Sequence, residues 1–268
     1  MFYEFFYSLR DIFFGFNVFK YITFRAALAS VTSFLLCISF GPWLIRKLSQ
    51  LKIGENIIDS KISPMLHELH REKKGVPTMG GILILFSIIV STLLWARLGN
   101  KYILLVLFST LWLGIIGFMD DYMKCVSKRS KGITVASKLI GQSILAIIVA
   151  LFAFYDPHIG PNLDIPFFKD LLVNLGLFYI VFAAVVIVGS SNAVNLTDGL
   201  DGLAVGSITI VALTYSIFSY VSGHANFSSY LQINYVPGIG ELTVFCASII
   251  GAALGFLWFN SHPAEIFM

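Results

Sequence analysis

Four short segments, remote from one another in the chain, carry the residue types that handle phosphate and cation chemistry. The first holds two adjacent carboxylates, Asp120 and Asp121, with Lys124 four residues after Asp120. At helical spacing Lys124 shares a face with Asp120. Two neighbouring carboxylates repel, so one pKa rises unless a cation sits between them. Mg²⁺ bound to substrate phosphates is such a cation. The same residues also fit a solvated helix end with an i,i+4 ion pair. The second segment, NAVNLTDGLDG, spaces Asn192, Asn195, Asp198 and Asp201 three apart. On a helix, Asn195 and Asp198 reach one ligand; in a loop they build Asx turns. The third, HREKKGVPTMGG, offers Lys73, Lys74 and Thr78 ahead of a helix start, with Pro77 expected in its first turn. Lysines and helix N-termini favour anions, and the lysines equally fit a membrane anchor. The fourth, NSHPAE, holds Asn260 and His262 after an apolar run. Lys131 and Lys138 fit anion or head-group contacts. His67 and His70, three apart, read as solvated loop residues.

The elements that position these segments are membrane helices. Of the 268 residues, 57% are hydrophobic and only 12% charged, against roughly 25% charged in an average soluble chain. Mean hydropathy is +0.84. That excludes an ordinary soluble domain and a disordered tail. A net charge of +3 is too weak to suggest nucleic acid. Cys37, Cys125 and Cys246 form no CxxC pair and read as buried thiols.

About seven runs reach the roughly 20 apolar residues of a spanning helix. They are Tyr21–Ile45, Pro77–Ala96, Tyr102–Met119, Thr134–Phe154, Leu171–Val188, Leu203–Val221 and Leu242–Phe259. The expected fold is an all-α polytopic membrane protein, read as one domain over 1–268. Arg25, near the end of the first run, is expected to snorkel to the interface. The first 20 residues are aromatic-rich and suit an interfacial helix rather than a cleaved signal. Lysines and arginines concentrate in the first and third connections, which places those on the cytoplasmic side and the N-terminus outside. All four polar segments then face the cytoplasm. The outer polar residues, Asp156, Asp164, His224 and Glu241 among them, form no evident cluster. A transporter is the rival from another class, but transport predicts polar residues at mid-membrane in broken helices. Here they gather at helix ends.

LHREKKGVPTMGG, GFMDDYMKCVSKRSKG, NAVNLTDGLDGLA and FLWFNSHPAEIFM together resemble, in order and spacing, one enzyme family. It is the phospho-N-acetylmuramoyl-pentapeptide-transferase branch of the polyprenyl-phosphate N-acetylhexosamine-1-phosphate transferases. The resemblance runs the length of the chain, and PTMGG is the part most specific to this branch. It implies an enzyme of the bacterial cytoplasmic (inner) membrane that starts the lipid-linked steps of peptidoglycan synthesis. Phospho-MurNAc-pentapeptide would pass from UDP-MurNAc-pentapeptide to undecaprenyl phosphate, giving lipid I and UMP, with Mg²⁺ as cofactor. A homodimer is implied as well. Asp120 and Asp121 match the catalytic aspartates. Lys73, Thr78, Lys124, Lys138, Asn195, Asp198 and Asn260 match substrate-binding positions, and Asp120, Asp121 and Asp198 are the implied metal ligands. Val76 stands where the family usually has Thr. The family pattern continues past Met268 into Gly-Asp-x-Gly-Ser, whose aspartate is associated with Mg²⁺, so the resemblance reads this chain as C-terminally incomplete. The alternatives within this reading are a UDP-GlcNAc-using relative and a truncated, inactive member.

Overall fold

The computed structural model describes residues 1–51, 76–125, 132–164, 172–198 and 200–268. Among them, six helices are long and apolar enough to cross a membrane. They are α2 (Ile22–Gln50), α4 (Lys101–Cys125), α5 (Val135–Tyr155), α6 (Phe178–Thr197), α7 (Leu203–Ser222) and α9 (Leu242–Asn260, counted with the 3-10 turn Ile239–Glu241). Two short helices, α1 (Phe2–Ser8) and α8 (Ala225–Leu231), lie outside this set. The seventh expected span is the shorter helix α3 (Gly81–Trp95). Its 15 residues reach about 22 Å at 1.5 Å per residue, short of the ~30 Å hydrocarbon core. Pro77 is not in its first turn: it lies in extended backbone, and Gly80 is the N-cap.

The fifth run is also displaced. Leu172–Asn174 forms strand β2, paired antiparallel with β1 (Asn162–Asp164), Leu163 opposite Val173. The helix starts at Phe178 and continues to Thr197, so Ser190–Thr197 forms its last two turns rather than a connection. Gly176, with positive φ, and the Asn174 side chain, which accepts the Gly176 N–H at 2.9 Å, turn the chain from strand to helix. Apolar composition alone does not separate a short strand from the start of a helix.

Helix α9 is the centre of the bundle, packing on α2 along its length and on α3 and α7. A Cβ at Gly251 would overlap the Ser30 carbonyl, so glycine there sets how closely α2 and α9 approach. Hydroxyls then replace water for one another. Ser33 Oγ donates to Ser248 O at 2.7 Å, Ser91 Oγ to Ala29 O at 2.5 Å, and Thr92 Oγ1 to Ser248 Oγ at 3.3 Å. Small residues and interhelical hydroxyl bonds are the usual means of helix association where apolar burial gives no net gain.

One end of the bundle is closed by two ion pairs. Arg25 does not snorkel. It is 1% exposed, donates to both Glu241 oxygens at 2.7 and 2.6 Å, and donates to Trp95 O at 3.2 Å. The Arg97 N–H also donates to Glu241. Asp156, at the same end, accepts from Lys101 Nζ at 2.5 Å, Tyr102 Oη at 3.1 Å and the His158 N–H at 2.9 Å. Glu241 and Asp156, unclustered in the sequence, are thus structural anions. The N-terminal segment caps this end: the Met1 amine donates to Leu93 O, and the Phe2 and Phe19 rings pack on Trp95. Of the expected interfacial helix, seven residues are α-helical and Phe14–Lys20 is a 3-10 helix.

Removing one partner of a buried pair leaves the other charge uncompensated, typically at about 3–5 kcal/mol. Arg25→Ala and Glu241→Gln are each expected to lower the thermal midpoint in detergent strongly, and the double substitution by apolar residues less than their sum. Burial alone would raise the Asp156 carboxyl, but the bonds from Lys101, His158 and Tyr102 outweigh it and hold it below its usual value. A lowered folded pKa stabilises above the unfolded value of about 3.9 and loses that stabilisation as pH falls through the folded value. Asp156→Asn should therefore lower the midpoint at neutral pH and shrink its further decline below about pH 4.

Candidate active site

The opposite end of the bundle gathers the last turn of α4, the first turn of α5, the end of α6, the start of α7 and the turn after α9. Asp120 is 9% exposed. Its Oδ2 accepts from Lys124 Nζ at 2.7 Å and its Oδ1 from the Ile133 N–H at 2.9 Å. Gly132 makes this possible: its φ is +57°, and a Cβ there would overlap Asp120 Oδ1 and stand 2.8 Å from Lys124 Cε. Thr134 Oγ1 then caps α5 by accepting the Ser137 N–H. Both oxygens of Asp120 are therefore used inside the fold. The helix runs on to Cys125, so the two aspartates sit within its last turns rather than closing it.

Asp121 has a different setting. It is half-buried, 4.0 Å from Lys124 Nζ, and lines a cavity of about 360 Å³ between α3, α4, α7 and α9. Among the described residues Asp121 is the one charged residue on that wall, and the rest is almost wholly apolar, with Ile88, Phe118, Val205 and Ile249 along it. The charges of Asp120, Asp198, Lys124 and Lys138 all bear on Asp121. Two of the four polar segments, together with Lys138, thus bear on one carboxylate.

The cavity mouth is built by the residues after α9. Phe267 donates its N–H to Pro77 O at 3.0 Å, and Gly80 donates to Phe267 O at 2.8 Å. Met79 and Met268 line the cavity between them. Asn260 holds this turn: its Nδ2 donates to Ile266 O at 2.8 Å, and its Oδ1 accepts the Gly202 N–H at 3.0 Å. The Asn260 side chain is buried and engaged within the wall. Thr78 lies in the paired segment, half-buried beside the mouth. His262 Nδ1 lies 3.3 Å from Asp201 Oδ2 and secures the same turn.

Asn195 is exposed on the last turn of α6, and Asp198 follows that helix. Asp198 is exposed as a residue, yet desolvation by the surrounding protein pushes its carboxyl above its ordinary value. Lys73, with Lys74, His67, His70, Lys131 and Gly199, lies outside the described residues. Among the described residues no three His, Cys, Asp or Glu side chains gather as a cation site. Asp121 and Asp198 suit an ion that takes one or two carboxylates and completes its shell with substrate phosphate and water. Sequence reasoning missed Gly132, the Ile133 N–H and Gln142; of these only Gly132, a glycine opening a helix-capping segment, carries a local signal.

A half-buried carboxylate bordering an apolar cavity, in a bundle of helices long enough to cross a membrane, is a setting that suits a transferase working on a lipid. The chain belongs to glycosyl transferase family 4, whose model matches residues 103–268. Its similarity extends beyond that region to curated phospho-N-acetylmuramoyl-pentapeptide-transferases. That of Desulfotalea psychrophila is 52% identical over 268 residues, covering all of this chain and 73% of the relative. Those of Citrifermentans bemidjiense and Desulforapulum autotrophicum are 50% and 49% identical over the same length, covering 74% and 73% of each.

Gly132→Ala is expected to break the Ile133–Asp120 bond by strain at positive φ and by overlap. Turnover should fall at least tenfold, with only a degree-scale drop in thermal midpoint, because the distortion is local.

Proposed function

We propose that this chain transfers phospho-MurNAc-pentapeptide from UDP-MurNAc-pentapeptide to undecaprenyl phosphate, releasing UMP, in the bacterial inner membrane. The observation that carries the reading is Asp121. It is a carboxylate with two lysines and two further aspartates around it, bordering a cavity that is otherwise almost wholly apolar. An acceptor with a phosphate head and a hydrocarbon tail matches that polarity. The relatives' name supports the transferred phospho-MurNAc-pentapeptide, and the concentration of lysines and arginines beside the site supports a cytoplasmic face.

In this reaction an oxygen of the lipid phosphate attacks the sugar-bearing phosphorus. A new P–O–P bond forms, and the bond to UMP breaks with its electron pair leaving on UMP. Most of what the protein contributes to such a transfer is placement and charge neutralisation. The lipid phosphate has a second pKa near 6 and is largely ionised at neutral pH. Asp121 faces the cavity and takes its remaining proton. Asp120 is a positioning residue, holding Lys124 and Ile133 so that the α4 and α5 ends stay together. Lys124, Lys138 and Lys73 neutralise the phosphates of the donor and of departing UMP. Asn195 and Asp198 hold the nucleotide side. A Mg²⁺ held by Asp121, Asp198 and the pyrophosphate would lower the charge barrier to attack and stabilise UMP as it leaves.

The test is UMP release by the purified chain from UDP-MurNAc-pentapeptide and undecaprenyl phosphate, with and without Mg²⁺, and with UDP-GlcNAc as competitor. Mg²⁺-dependent release unaffected by UDP-GlcNAc is expected; consumption of UDP-GlcNAc in its place would overturn the donor assignment. Asp121→Asn should cut kcat by roughly 10²–10⁴, the range of a lost acid–base group, with KM for the donor changed less than about threefold. Full turnover by this variant would remove Asp121 from the chemistry.

A further inference from the structure

Helices α5 and α6 form an antiparallel pair that carries Lys138 on one arm and Asn195 with Asp198 on the other. The pair is loosely held. Helix α6 has no buried residue along its length and packs chiefly on α5. The buried face of α5 is mostly apolar and small-featured, with Leu145, Ala146 and Ala150 on it. Apolar contacts of this kind resist separation but do little to choose one register over another. The sole polar residue among the four buried in α5 is Gln142, 3% exposed. Its Nε2 donates to Ser191 Oγ at 3.0 Å, and its Oε1 accepts from Asn192 Nδ2 at 2.9 Å. Asn192 Nδ2 also donates to Val188 O at 2.9 Å, which fixes its rotamer. An amide paired on both its ends cannot slide without losing both bonds, and an unpaired amide in an apolar layer is costly.

The place of this clamp matters. Gln142 is four residues from Lys138, and Ser191 is four from Asn195, so each lies one turn behind a site residue on the same helix face. We infer that Gln142, through Ser191 and Asn192, is a positioning residue that sets the register of α6 on α5. It thereby brings Asn195 and Asp198 level with Lys138 and Asp121. The catalytic part of this inference rests on the function proposed above; the register part does not.

The experiment reads both. Spin labels at Leu139→Cys and Leu196→Cys, both exposed, are placed in a Cys125→Ala background, since Cys37 and Cys246 are buried. Their separation is measured by double electron–electron resonance in the original sequence, in Gln142→Leu and in the exchanged pair Gln142→Asn with Asn192→Gln. Gln142→Leu keeps the side-chain volume, so the folded pair persists, and its label distance should broaden or move by up to one turn, about 5 Å. UMP release should fall at least tenfold, mainly in kcat for the nucleotide donor. The exchanged pair restores the combined length of the two amides and should recover distance and turnover to within about threefold. An unmoved distance in Gln142→Leu overturns the inference whatever the activity, and so does a moved distance with full turnover. If the original sequence shows no UMP release, the function reading fails by itself, and the label distances still decide the register.

Discussion

Helix α9 occupies the centre of the bundle because Gly251 lets its backbone meet the Ser30 carbonyl of α2 without an intervening side chain. That single close approach fixes the rest. It places Ser248 within reach of Ser33, Ser91 and Thr92, so three helices satisfy one another's hydroxyls in a buried layer. It also aligns Glu241 at one end of α9 with Arg25 of α2, and Asn260 at the other end with the start of α7. In an apolar medium these polar partners must be found within the protein.

The two ends of the bundle use charge in opposite ways. At one end Arg25, Glu241, Lys101 and Asp156 are paired and nearly saturated with hydrogen bonds, which holds helices together and leaves little to offer a ligand. At the other, the pairing is deliberately uneven. Asp120 accepts one hydrogen bond on each oxygen, from Lys124 and the Ile133 N–H, while its neighbour Asp121 opens onto the cavity. Adjacent aspartates on a helix point about 100° apart, so one reaches back to the α5 entry and the other forward to the cavity. The division of labour between two chemically identical residues follows from helix geometry.

The α5–α6 pair is the part of the site with the least support. A two-stranded ribbon lies between its helices in the chain, and α6 has no fully buried residue. A polar clamp is the economical way to hold such a pair in lipid, where apolar faces have no preference for one another over acyl chains. The same logic explains why Asn260, which resembles a pocket residue, spends its amide on the wall: the turn carrying Ile266 and Met268 has no other side-chain amide anchor among the described residues.

Much of this was legible in residue order. The apolar runs, the Asp120–Asp121 pair and the Lys124 spacing need only composition and local periodicity, and the family was legible through the resemblance of whole motifs. These survive because helix formation in a membrane is a local, backbone-driven matter. What the sequence could not determine was partnership. That Arg25 is buried against Glu241, 216 residues away, that Leu172–Asn174 is a strand, and that Asp120 is closed while Asp121 is open all depend on which surfaces meet. Those meetings are set by close packing and by mutual satisfaction of buried polar groups, which are properties of the assembled helices and of no single segment.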